Sequence, residues 1–225
     1  MVTSLVLAGC GCVAGWVVRA LVRRGRHRLP EETGAPAPRA LWVPPVVGAV
    51  WVSLGSGGLG SGGLGWPALP AYLLASTVLA WLVAVDLDVR RLPNVVTLPA
   101  LPVSVAVFVV LALSGRDPPA FARTLSGVVA LAGLYAVLFA AGTAVGRRRG
   151  SGSAFGLGDV KLAAVLGAWL AWPGWTALLL GGYLGLLIGG LVALALIATG
   201  AAARGSHLPH APAMALGAWL ALCLT

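Results

Sequence analysis

From Trp175 to Thr199 the chain carries no charged side chain, and seven further apolar runs can be drawn at residues 2–22, 41–56, 68–86, 95–114, 120–146, 159–173 and 209–224. A helix of about 20 apolar residues crosses the roughly 30 Å hydrocarbon core of a bilayer. Within lipid every backbone amide must find its partner inside the protein, and a helix achieves this within one segment. The expected fold is therefore all-α: a polytopic transmembrane helix bundle, one domain over residues 1–225, with about eight spans. The boundary between the sixth and seventh runs rests on WPGW, Trp172 to Trp175, where proline and glycine end a helix; without it the count is seven. Composition agrees, with 59% hydrophobic and only 9% charged residues, against the usual quarter or so charged in globular chains.

A net charge of +9 would point to nucleic acid in a soluble chain, but here the basic residues sit in short clusters between apolar runs. With RRGRHR, Arg23 to Arg28, placed in the cytosol, alternation brings the loops of Arg90 and Arg91, Arg147 to Arg149, and Arg204 to the same side. Of the 15 Lys and Arg residues, only Arg116 and Arg123 then fall outside. Cytosolic loops collect Lys and Arg, so both termini are expected outside. The bilayer is the implied partner, and no nucleic acid is. MVTSLVLAGC at the start has no basic residue ahead of its apolar core and reads as the first span rather than as a signal peptide. Cys10, Cys12 and Cys223 all lie in apolar runs without a CxxC pair. The tandem SGGLG of residues 56–65 reads as a flexible linker. Gly11 with Gly15, and Gly181, Gly185 and Gly189, recur at helical spacing and read as close-packing positions.

Against this background two acidic strings stand out, AVDLDVRRLPN from Ala84 to Asn94 and AFGLGDVKL from Ala154 to Leu162. The alternation puts Asp86 at the cytosolic end of the third run and Asp159 at the cytosolic start of the sixth, on one membrane face. Ionisable groups at the edge of lipid are costly and mark functional sites. Two carboxylates close together do not both ionise, so one keeps a proton. That is the equipment of an aspartyl protease, in which one acid takes a proton from water and the other protonates the leaving group. Gly156 and Gly158 beside the second acid would let a substrate backbone approach. The plainer alternative makes Asp86, Asp88 and Asp159 anchors for helix ends, paired with Arg90, Arg91 and Lys161. Asp88, further into the loop, is expected only to tune Asp86. Glu31, Glu32 and Asp117 receive no role. His27, His207 and His210 lack metalloprotease spacing, and no serine-hydrolase or P-loop string is present. Two other classes remain: a proton- or ion-coupled transporter, which would place its acids nearer the midplane of repeated halves, and a non-catalytic assembly scaffold.

The same strings resemble the bacterial type IV prepilin peptidases. AVDLDVRRLPNVVTLP, Ala84 to Pro99, resembles the family's first aspartate motif, with Asp86 ahead of Pro93 and Asn94. FGLGDVKL, Phe155 to Leu162, is similar to its GxGDxK motif and carries the second aspartate onto Asp159, with Lys161 at the basic position. LPHAPAMALGAWLA, Leu208 to Ala221, resembles the proline-rich lead-in to the last helix, usually PFGP, with His210 and Ala211 as departures. GCGCVAGWVVRALVRRGRHRLP echoes the family's first helix and basic segment. The resemblance implies catalytic Asp86 and Asp159, supported by Asp88, Gly156, Gly158, Lys161, Pro93 and Asn94, with neither cofactor nor metal. It further implies removal of short basic leaders from prepilin or pseudopilin precursors at the cytosolic face of the bacterial cytoplasmic membrane. Many members insert two CxxC pairs after the first helix, a segment that goes with N-methylation of the trimmed pilin. Here the short loop of residues 23–40 stands in its place and contains no cysteine, so peptidase activity alone is expected.

Overall fold

The computed structural model describes residues 2–32, 34, 36–56, 65–115, 117–149, 156–201 and 208–225. Its described residues form eight α-helices: α1 (Val2–Arg23), α2 (Val43–Gly55), α3 (Gly65–Val89), α4 (Asn94–Gly115), α5 (Pro118–Arg149), α6 (Leu157–Ala171), α7 (Trp175–Ala198) and α8 (Ala211–Leu224), with a 3-10 turn at Pro30–Glu32. Each expected apolar run is a helix. WPGW does separate α6 from α7, since the last turn of α6 closes at Trp172 and Gly174 starts α7 in an extended conformation. Most of the SGGLG tandem, together with Arg116, Arg204 and His207, lies outside the described residues.

Five helices, α1, α3, α4, α5 and α7, are long and apolar enough to cross a membrane. The remaining three have 13, 15 and 14 residues, and at 1.5 Å per residue reach only about 20 Å. Because lipid tails are as apolar as leucine, association of such helices depends on close packing and polar contacts rather than on water exclusion.

The chain divides into two compact units, residues 1–89 with 222–225, and residues 90–221. In the first, Val18 and Val22 of α1, Val43 and Val47 of α2, and Ala84 of α3 form a buried cluster flanked by Trp51 and Trp81. The expected close approach at Gly11 and Gly15 is present: a Cβ at Gly11 would lie 2.9 Å from the Gly48 Cα, and one at Gly15 would collide with the backbone of Pro44. The Trp51 indole donates to the Thr77 hydroxyl at 3.2 Å, tying α2 to α3.

In the second unit α5 and α6 touch backbone to backbone where Gly127 faces Gly167, and a side chain on either would overlap the other helix. Phe108 of α4 is fully buried between the rings of Trp169 and Trp172, at 4.9 and 5.0 Å, and the Trp169 indole donates to the Ser104 hydroxyl at 2.8 Å. Arg123 of α5 donates to the carbonyls of Ala171 and Trp172 at 2.7 and 2.6 Å. It thereby satisfies two carbonyls that the end of α6 would otherwise leave without donors. The α7 glycines work as expected, with Gly181 against Leu170 and Ala221, Gly185 against α8, and Gly189 against the His210 ring.

Candidate active site

The first acidic string forms the last turns of α3. Val85 and Asp86 are both buried, and Asp86 is only 4% exposed. After Val89 the helix stops, with Arg90 in the left-handed region at φ 53°, the conformation in which helices commonly terminate. Asp88, in the same turn, is gripped by the segment that follows α1. The Arg28 guanidinium donates to both of its oxygens at 2.8 and 2.7 Å, and His27 Nε2 donates to Oδ2 at 2.7 Å. The three side chains are 6%, 1% and 9% exposed for Arg28, His27 and Asp88. Arg28 also donates to the Pro36 carbonyl at 2.9 Å, closing the loop onto itself. Hydrogen bonding to Asp88 raises the Arg28 pKa further above its ordinary value, outweighing the opposing effect of burial. The His27 ring packs edge-on against Trp81, centroids 6.5 Å apart. Asp88 thus has an anchoring role, and its anchors are His27 and Arg28 rather than the neighbouring arginines that sequence proximity suggested.

The second unit brings the other motif residues together. Gly156 is the residue before α6, and its N–H donates to Asp159 Oδ2 at 2.9 Å while Asp159 N–H donates back to the Gly156 carbonyl at 3.1 Å. A carboxylate in the first turn also opposes the positive end of the helix dipole. Lys161 Nζ donates to Asn94 Oδ1 at 2.7 Å, joining the first turns of α6 and α4. The Pro93 carbonyl accepts from the N–H groups of Val96 and Thr97, both at 3.1 Å, and so starts α4. Gly158 has no side chain where Leu92 lies, and a Cβ there would be 3.2 Å from the Leu92 Cβ. The LPN segment of the first motif and the GxGDxK string of the second are therefore in direct contact. The tight glycine at Gly158 accommodates Leu92, not open space. Asp86 belongs to the first unit and Asp159 to the second.

Two further residues of this unit pair with each other. Tyr135 of α5 is 2% exposed and its hydroxyl is hydrogen-bonded to His210 Nε2 at 3.1 Å, with ring centroids 5.7 Å apart. The His210 carbonyl accepts from the N–H groups of Ala213 and Met214 at 3.1 Å, so His210 is the residue that opens α8. Burial depresses the His210 pKa, and the negative charge of Asp159 partly offsets that fall. Sequence reasoning gave Tyr135 no role and treated His210 only as a departure from a motif. The available signal was a lone tyrosine within the long apolar run of α5.

Residues 72–198 match the profile of the type IV leader peptidase family. Among curated proteins, relatives from Aeromonas salmonicida strain A449 and from Aeromonas hydrophila are 31% and 33% identical over 157 residues, 70% of this chain and 50% of each relative. Both are named prepilin leader peptidase/N-methyltransferase. The chain spans about half the length of the curated relatives it matches. No solved structure gives a significant match.

Proposed function

Because the chain belongs to the type IV leader peptidase family, we propose that it is a membrane aspartyl endopeptidase that removes the short basic leader from prepilin-like precursors, with Asp86 and Asp159 as the catalytic pair. The observation that carries this reading is Asp86 itself, a carboxylate 4% exposed at the end of an apolar helix. Burying an acid there is costly and is retained where chemistry uses it. Asp159 supports the reading from the other unit, set in the first turn of α6 by its bond to the Gly156 amide.

In the proposed reaction one aspartate is ionised and its partner protonated. The ionised carboxylate takes a proton from water as the water oxygen bonds to the scissile carbonyl carbon. The protonated acid hydrogen-bonds to the carbonyl oxygen and then donates to the departing nitrogen as the C–N bond breaks. One water is consumed, one carboxylate and one amine are released, and passage of a proton between the acids restores the starting state. The skew of Lys and Arg supports a cytosolic location for this chemistry and extracytoplasmic termini. The relatives' names couple leader cleavage with N-methylation. The cysteine-free residues 29–40 support cleavage alone for this chain.

The test is co-expression with a pilin-like precursor carrying a basic leader before an apolar helix. Asp86→Asn and Asp159→Asn should each lower leader removal by about 10²–10⁴-fold while the protein still inserts. Wild-type processing in either variant would refute the assignment.

A further inference from the structure

Helix α4 carries two prolines beyond its first turn, Pro99 and Pro102. Proline has no N–H, so the carbonyls of Val95 and Leu98, four residues earlier, receive no donor from the turn that follows them. The hydroxyls of α4 do not make good the loss. Thr97 donates to the Pro93 carbonyl at 3.1 Å and Ser104 to the Ala100 carbonyl at 2.6 Å. Among the described residues no side chain donates to Val95 or Leu98. Val95 is 86% and Leu98 57% exposed, with Pro99 and Pro102 exposed beside them, whereas Thr97, Ser104 and Phe108 form the buried face of the helix. The open stripe begins where the two motifs meet. Asn94, one turn before Leu98, holds Lys161, two residues past Asp159, and Leu92 packs on Gly158.

We propose that the Val95 and Leu98 carbonyls form a main-chain docking site for the precursor, accepting hydrogen bonds from N–H groups of the polypeptide around the bond to be cut. The inference rests on the peptidase reading and states how that site holds its substrate. A peptide bond inside a helix is screened by the surrounding side chains, so cleavage needs the junction extended. Extending it strips N–H groups of the carbonyls four residues earlier. Such groups are costly to leave unpaired in lipid. The unwound junction therefore brings donors without acceptors to a helix that offers acceptors without donors, and pairing satisfies both. Recognition of this kind reads backbone rather than side chains, as when an extended peptide adds to a sheet edge.

The test uses the full chain in lipid nanodiscs and synthetic precursor peptides, each a basic leader followed by an apolar helix. Single N-methyl groups, which cannot donate, are placed in turn on the residues flanking the cut. On wild type, N-methylation at one or two positions should raise KM by roughly fivefold, the worth of one hydrogen bond, with kcat little changed. Pro99→Ala and Pro102→Ala return an N–H to the Val95 and Leu98 carbonyls. Each should raise KM for the unmodified peptide by about the same factor and abolish the extra penalty of one N-methyl position. The melting temperature should stay equal or rise, since alanine removes the cost of proline within a helix. N-methylation without effect at every position overturns the inference, even where a proline variant fails to fold. An N-methyl penalty of equal size in wild type and both variants also overturns it, as that is the result if the prolines only bend α4. Both results leave the peptidase reading intact. A wild type that cleaves none of the peptides refutes that reading, and the docking site with it.

Discussion

Asp86 and Asp88 share the last turn of α3, yet their surroundings set them apart. Asp88 has both oxygens engaged by Arg28 and His27, which gives it a structural part in holding the segment after α1 against α3. Asp88→Ala should leave some leader cleavage, lowered by roughly tenfold, and should lower stability by about 1–3 kcal/mol, the usual cost of losing hydrogen bonds to a charged group. Thermal unfolding in detergent beside a cleavage assay would check both, and complete inactivity with unchanged stability would contradict it. The partners of Asp88 were not legible in the sequence. His27 and Arg28 belong to a basic cluster whose presence the membrane orientation already explains, and only the path of the loop back to Pro36 brings them onto α3. Asp159 was legible as an acid set among glycines, but its bond to the Gly156 amide was not, because Gly156 reads in sequence as room for a substrate backbone. Tyr135 and His210 were not, since their pairing joins α5 to the start of α8 across residues far apart in the chain.

At the level of helices, the apolar runs fixed where each element would lie, and proline and glycine at WPGW marked a true break. What the runs did not reveal is how the helices touch. Arg123 stood out as an exception to the cytosolic distribution of basic residues, and its bonds to the Ala171 and Trp172 carbonyls give the physical reason: it closes the end of α6. Arg123→Met should therefore destabilise the second unit by about 1–3 kcal/mol, with Arg123→Lys retaining part of that, as read by unfolding in detergent. The contact of Gly127 with Gly167 is a stricter requirement. Gly167→Leu drives a side chain into the backbone of α5, and overpacking of this kind costs about 1–3 kcal/mol or more. A lowered melting temperature is expected, with Gly133→Leu, where a Cβ meets nothing within 4 Å, as the silent comparison.

For the molecule as a whole, the helical class could be read from the chain, whereas the number of membrane crossings could not. An apolar run such as residues 41–56, of which 13 residues form α2, looks the same in sequence whether it crosses or stops short. The proposed orientation places the α2–α3 loop outside and the α1–α2 loop in the cytosol. In a chain whose native cysteines are replaced, a membrane-impermeant thiol reagent applied to intact cells should label Ser56→Cys and spare Arg26→Cys; the reverse pattern would invert the topology and move the proposed chemistry to the other face. The Gly156–Asp159 bond has a practical corollary. Asparagine can offer the same oxygen to that amide, so Asp159→Asn should be a silenced enzyme with its helix start intact. Such a variant is the natural bait for retaining an uncut precursor through purification, and the captured polypeptide would reveal which leader this chain recognises.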